Sequence, residues 1–330
     1  MSGEIDFIIM WVDGNDPDWQ KEKMLYDENN KGDKRNIRFR DWDNLQYWFR
    51  GVEKYAPWVN KVHFVTWGHV PNWLKVDHPK INVVKHVDFL KEENLPTFNS
   101  RAIEINLHRI EGLAEQFVYF NDDMFLTKPV KKEDFFKDGL PRDVAIPNPT
   151  PSNSRLGIGC AISNNMEIIN TTFNKKKEVR RNLTKWFNPL YKKHMIASIC
   201  MIPWNNFAAF LSTHIPHSYL KATFEEVWEA ENEIMEGTSG SRFRNKNNVN
   251  QWLMRYWQLA SGNFLPRNIN DGKNFMLKDK NNDALNAIEK QKYKMICLND
   301  TVDIVNFDKV KSSILNSFHK ILPQKSDYEL

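Results

Sequence analysis

Apolar and polar positions fall in blocks along residues 1–150. Ile5 to Val12 is a nearly unbroken apolar run, the pattern of a strand buried on both faces, and Asp13-Gly14-Asn15-Asp16-Pro17 follows at once with residues built for a tight turn. Asn44 to Tyr55 carries Leu45, Trp48, Phe49 and Val52 at helical spacing. Lys61 to Thr66 and Ile81 to Lys85 read as short strands separated by Pro71 and Pro79. Asn99 and Ser100 suit the cap of a helix running to about Ile110, with Ile103, Leu107 and Ile110 as its apolar stripe and Arg101, Glu104 and His108 on the other face. Phe117 to Phe120 is again strand-like and ends abruptly in Asn121-Asp122-Asp123. The order strand, helix, strand, strand, helix, strand predicts a right-handed, largely parallel sheet with helices on its faces, an α/β, Rossmann-like nucleotide-binding unit.

The pattern then loosens. Residues 148–165 are rich in Asn, Pro, Ser and Gly and read as a long loop, a boundary or an active-site flap. Phe224 to Met235 and Asn250 to Ser261 look helical, the second ending at Gly262. Its Trp252, Leu253, Tyr256, Trp257 and Leu259 read as core packing rather than as a sugar-stacking platform or a membrane-surface face. Lys278 to Asp283 reads as a surface loop, and no internal repeat is visible. Residues 151–330 are expected to be a mainly helical elaboration that completes the site within one catalytic unit.

Composition narrows the class. A chain of 330 residues exceeds the size at which one core usually suffices, so a core with additions is expected. Lys and Arg number 46 against 42 acidic residues, a formal charge of +4 that suits anionic ligands and does not argue for nucleic acid. Cys160, Cys200 and Cys297 offer neither a disulfide framework nor a zinc signature and read as packing residues in a reducing compartment. No signal-like N-terminus and no membrane-spanning run is present, so the expected location is cytoplasmic, and the glycosylation-like triplets at Asn170 and Asn182 carry no meaning. The basic run Lys175-Lys176-Lys177-Glu178-Val179-Arg180-Arg181 is either a solvated helix face or a contact for anionic lipid headgroups at the inner face of the plasma membrane.

Several groups carry candidate chemistry. In open α/β sheets ligands sit beyond the carboxyl ends of the strands, and paired carboxylates there are hard donors of the kind Mg2+ or Mn2+ shares with phosphates. Asp122 and Asp123 are therefore candidate metal ligands, with a turn rich in Asp as the plain alternative. His214-Ile215-Pro216-His217 supplies imidazoles for proton transfer near neutrality, and Arg242-Phe243-Arg244 supplies guanidinium forks for phosphate oxygens. Cys297-Leu298-Asn299-Asp300 is another apolar approach ending in a carboxylate, which extends a metal shell or caps a turn.

The blocks Ile5 to Gly14, Leu95 to Glu104, His108 to Leu113 and Asn121-Asp122-Asp123, then His214 to His217, Arg242 to Arg244 and Cys297 to Asp300, resemble in order and spacing the Stealth family of sugar-phosphate transferases over residues 5 to about 300. The family includes bacterial capsule and exopolysaccharide enzymes and the animal transferase that tags lysosomal glycoproteins. The resemblance implies a GT-A-like core and transfer of hexose 1-phosphate from a UDP-sugar to a sugar hydroxyl, with release of UMP. It assigns catalytic positions to Glu104, Asp122, Asp123, His214 and Arg244, and places Trp11, Asp13 and Gly14 by the nucleotide. Asn99, Ser100, Arg101, His217 and Arg242 are expected to bind substrate; Asp122, Asp123 and Asp300 to hold Mg2+ or Mn2+. His214 is the expected proton acceptor, with Glu104 or Asp123 as alternatives. The acceptor is expected to be a lipid-linked oligosaccharide or another glycan. Two other readings are a metal-dependent glycosyltransferase releasing UDP and a non-catalytic glycan- or nucleotide-binding module.

Overall fold

The structure, a computed structural model, describes residues 3–27, 40–150 and 157–330. Its strands are β1 (Ile5–Met10), β2 (Val62–Thr66), β3 (Ile81–Lys85), β4 (Gln116–Phe120), β5 (Met124–Leu126), β6 (Phe136–Lys137), β7 (Leu140–Asp143), β8 (His217–Leu220), β9 (Leu265–Pro266), β10 (Gly272–Met276) and β11 (Met295–Asn299). The main sheet has the order β3-β2-β1-β4-β8, in which the first four strands are mutually parallel and β8 is antiparallel to β4. Two small sheets, β10-β11-β5 and β6-β7-β9, flank it.

Burial on both sides explains the unbroken apolar runs. Phe7 and Ile9 of β1 and Val118 and Phe120 of β4 pack on one face with the helix Leu45–Tyr55, while Ile8, Phe117 and Tyr119 pack on the other with the aromatic helix Trp252–Ser261. Every residue from Trp252 to Ala260 is buried, so that helix is core, as its pattern predicts. The one carboxylate inside β1, Asp6, is fully satisfied: it takes hydrogen bonds from Asn60, the Lys61 and Ala114 amides and His63 at 3.0 Å. Burial alone would raise its pKa, yet these bonds, His63 foremost, hold it below the usual range.

Three expectations are corrected. The helix from Ser100 stops at Glu104 and resumes only as a single tight turn, Leu107–Arg109. Asn106 is the reason: its side-chain amide donates back to the Ala102 carbonyl at 2.8 Å and across to Ser239, competing with the helical ladder. The opposite face is buried as well: Arg101, Glu104 and His108 are all buried, His108 against Phe224 and Trp228. The predicted helix Phe224 to Met235 is two, Lys221–Ala230 and Asn232–Ser239, broken at Glu231. The loop of 148–165 ends earlier, in the helix Ile158–Thr172, and residues 151–156 of it lie outside the described residues. The helices Pro17–Asp27 and Phe307–Ile321 are additions to the sequence reading; the first is signalled by Pro17 at its first position and by Asp16, whose carboxylate accepts the Trp19 amide at 2.8 Å.

Candidate active site

The strand order locates the site before any side chain does. From β1 the chain steps outward to β2 and β3, then returns to place β4 on the other side of β1. The order in which strands are added reverses between the parallel β1 and β4, and the crevice beyond the carboxyl ends of such a pair is where α/β sheets bind ligands. Trp11 to Gly14 leave β1 there and Asn121 to Asp123 leave β4 there.

Asp123 is the hub. Its backbone carbonyl accepts the Leu298 amide at 2.9 Å, which fixes it to β11. Its Oδ2 accepts the Cys297 thiol at 3.2 Å and lies 3.7 Å from Nε2 of His214, while its Oδ1 is buried with no hydrogen-bond partner. Asp123, His214 and Cys297 thus bring ligand atoms within 4.8 Å of one another from three distant parts of the chain. Burial lowers the pKa of His214, but the Asp123 carboxylate outweighs it and the net direction is upward. His214 is also held at φ 45°, a left-handed conformation unusual for a residue with a Cβ and a form of strain that collects at functional sites. Beside it Asp122 is exposed to solvent; the desolvation of its surroundings and then the Asp123 charge push its carboxyl up to about 7, with Asp41 adding to the effect.

A second cluster flanks the first. Glu104 is buried, takes the Tyr119 hydroxyl at 3.4 Å on Oε1, and leaves Oε2 without a hydrogen-bond partner. Burial pushes its carboxyl up to about 7 against the pull of the Arg101 charge. Ser100, at the start of the same short helix, accepts Nη2 of Arg244 at 2.5 Å. Asn99 caps this helix by accepting the Arg101 amide at 3.2 Å, and its own amide group donates to the Ser241 carbonyl and to Asn248. One side chain therefore ties the helix to the loop that carries Arg244.

The remaining predicted residues lie apart from these clusters or are otherwise engaged. Arg242 donates to the carbonyls of Leu95 and Pro96 and stacks over Tyr26, and Arg101 donates to the carbonyls of Asn245 and Gly157. His217 points into the core beside Asp143, Arg255 and Arg267, where burial and the Arg255 charge hold its pKa far below normal. Asp300 receives the Trp42 indole N–H at 3.2 Å and sits 3.6 Å from Arg40, outside the Asp123, His214 and Cys297 group. Trp11 packs on Phe64 and His69; the Asp13 amide donates to Nε2 of His69 at 2.8 Å, and Gly14 is held through Gln20. The acceptor role of Nε2 requires a neutral imidazole, in keeping with the lowered pKa that burial gives His69. Sequence reasoning missed Cys297 as a site residue, having read it as packing, and Asp41, His69 and Tyr119, whose spacing carries no recognisable signal.

The donor set decides what this site can hold. Among the described residues the tightest group includes a thiol, Cys297, which donates its proton to Asp123 and whose pKa burial pushes well up. A hard divalent cation would take carboxylate oxygens, and the unpartnered Oδ1 of Asp123 with the open carboxylate of Asp122 fits that preference.

Residues 38–143 match the family description Stealth protein CR2, conserved region 2. The chain is 48% identical to a capsular polysaccharide phosphotransferase, WcwK, of Streptococcus pneumoniae over 99% of this chain and 98% of that one. It is 41% identical to the exopolysaccharide phosphotransferase cps2G of Lactiplantibacillus plantarum over 99% of this chain and 96% of that one. The receptor polysaccharide phosphotransferase WefC of Streptococcus oralis is 38% identical, with 99% of each chain covered. Among solved structures, looser likenesses are to the bifunctional glycosyltransferase WbbM (TM-score 0.38, 10% identity, 97% of this chain and 51% of that chain) and to the galactosyltransferase LgtC (TM-score 0.36, 9% identity, 94% and 95%). Near full-length identity to these relatives bears out the resemblance seen in the motif blocks, and the chain belongs to the Stealth family of phosphotransferases.

Proposed function

We propose that this protein transfers hexose 1-phosphate from a UDP-sugar to a hydroxyl of a lipid-linked or other glycan acceptor, releasing UMP, in the synthesis of a bacterial capsule or exopolysaccharide at the cytoplasmic side of the membrane. The observation that carries the reading is Asp123, which turns one oxygen to His214 and Cys297 and leaves the other unshared beside Asp122. Full-length relatives named as polysaccharide phosphotransferases support the same reaction class.

In this reaction the acceptor oxygen attacks the β-phosphorus, the bond from that phosphorus to the bridging oxygen breaks, and UMP departs with the electron pair. His214, its Nε2 turned to Asp123, accepts the hydroxyl proton at Nδ1, and the Asp123 carboxylate stabilises the imidazolium that forms. Arg244, anchored by Ser100, holds the nonbridging oxygens of the transferred group. Glu104 fixes the geometry between Tyr119 and the Ser100 helix. Trp11 and the Asp13-Gly14 turn, braced by His69, border the nucleotide. Asp122 and Asp123 Oδ1 would hold Mg2+ or Mn2+, which when bound neutralises charge on the diphosphate. Phosphoryl transfer needs mainly such positioning and charge stabilisation.

The test is the identity of the released nucleotide when purified protein is given UDP-sugars, Mg2+ or Mn2+ and an oligosaccharide acceptor. UMP release that depends on acceptor supports the proposal; UDP release replaces it with ordinary glycosyl transfer.

A further inference from the structure

The basic run at Lys175–Arg181 forms a helix, and Lys175 is not part of its solvated face. Its ammonium group is buried and donates to the carbonyls of Met201, at 2.5 Å, and Trp204, at 2.7 Å. That pair of bonds pins a second segment against the start of the basic helix. The second segment is Met195 to Trp204, and its exposure is inverted relative to its chemistry. On the helix Met195–Cys200, Ile196, Ile199 and Cys200 share one face at i, i+3 and i+4, and that face is turned to solvent. Ile196 is 62% exposed, Ile199 50%, Ile202 55% and Trp204 61%. Exposed apolar residues scattered singly need no explanation, but a contiguous cluster on a short segment does.

Charge says what covers it. Between Glu178 and Glu225 the chain has no aspartate or glutamate, while it carries Arg180, Arg181, Lys185, Lys192 and Lys193. Lys176, Lys177, Arg180 and Arg181 with Asn174 line a shallow surface concavity of ≈ 430 Å³. An apolar tip beside a cationic hollow, in which Glu178 pairs with Arg181 at 3.4 Å and after which no carboxylate follows until Glu225, matches the layout of a bilayer surface, where phosphate headgroups lie above acyl chains. A protein partner of the same chain would meet this face with its own cations. Among the described residues no helix is long and apolar enough to cross a membrane, so the contact is one that lies on the surface.

We propose that Ile196, Ile199, Ile202 and Trp204 insert into the headgroup layer of an anionic membrane while Lys176, Lys177, Arg180 and Arg181 bind lipid phosphates beside them. The segment runs on from Trp204 to His214, so the face that meets the lipid is continuous in sequence with the proton-accepting side of the cleft. This deepens the proposed function by saying how a lipid-linked acceptor is met, but it makes no use of the transfer chemistry.

The experiment is co-sedimentation of the full chain with vesicles of phosphatidylcholine, with and without phosphatidylglycerol, read independently of any activity. Binding is expected to require phosphatidylglycerol and to weaken with salt. Ile199→Glu and Trp204→Ala should each weaken it, the first by at least about tenfold, and each neutralised cation by roughly fivefold. Because all four apolar side chains are at least half exposed, these variants should keep the wild-type melting temperature. Equal binding to both vesicle types, or unchanged binding of Ile199→Glu, overturns the proposal. So does a dimer in solution that Ile199→Glu dissociates without any vesicle binding by the parent, which would make the face a self-interface. Transfer to a soluble oligosaccharide should be unaffected by these variants, so a failed docking face and a failed reaction remain distinguishable.

Discussion

Asp123 uses its two oxygens differently, and the difference can be tested one substitution at a time. Asp123→Asn keeps the shape but loses the charge that the proposed mechanism uses to support a His214 imidazolium and a cation, and His214→Gln removes the proposed proton acceptor. Each should lower kcat/KM by about 10²–10⁴-fold. Cys297 donates to Asp123, which in the proposed mechanism makes it a positioning residue: Cys297→Ala should cost about tenfold, the value of one hydrogen bond to a charged group, and Cys297→Ser should recover most of it because a hydroxyl can donate to the same oxygen. Equal loss in both variants would point to packing instead. The acidic pair was visible in the sequence because carboxylates ending an apolar run are chemically conspicuous, and His214 because imidazole suits proton transfer near neutrality, whereas Glu104 was marked only by the family resemblance. Cys297 was not, since a thiol inside an apolar strand looks the same whether it packs or donates.

At the scale of elements, the two central strands were legible because burial on both faces writes an uninterrupted apolar run, although the first stops at Met10 rather than Val12 and the second starts at Gln116. The helix at Ser100 was overextended because its three-residue stripe continues past Glu104, and only the tertiary partner of Asn106, Ser239, explains the stop. Asn99 joins this helix to the Arg244 loop, so Asn99→Ala should lower activity more than stability: about 1 kcal/mol from the lost cap, with a kcat deficit beyond it, as read by melting and steady-state kinetics on the same sample. The end of the aromatic helix is more demanding. Gly262 has φ +80°, and a Cβ there would stand 2.4 Å from the Asn182 side-chain nitrogen, so Gly262→Ala should cost on the order of 1–2 kcal/mol from the left-handed backbone alone and more from the contact. Denaturant unfolding would check it.

For the molecule as a whole, the later chain supplies what the first 150 residues lack. β8 completes the main sheet beside β4, β11 backs Asp123, and the helix Phe307–Ile321 covers the face under Phe125. These pairings join residues more than 90 positions apart, with no local pattern to announce them. Folding this way also buries histidines in neutral form. His108 is held down to about 3, by burial first and then by the Arg109 charge, against an ordinary value of 6.5. Between those values the unfolded chain binds a proton that the folded protein refuses, so this residue makes stability fall as pH drops from 6.5 and the loss is complete near 3. His108→Phe, which suits neighbours Phe224 and Trp228, should make unfolding free energy less steep in pH across this window by up to about 1.4 kcal/mol per unit. An unchanged slope would mean the imidazole is protonated in place.

The central claim concerns which bond breaks, and a donor labelled at its β-phosphorus reports that directly. With a UDP-sugar carrying 32P at that position, an acceptor glycan and Mg2+ or Mn2+, the label should appear in the glycan product as a phosphodiester while the released nucleotide is unlabelled UMP. Label that stays with released UDP, and an unlabelled product, would contradict the account.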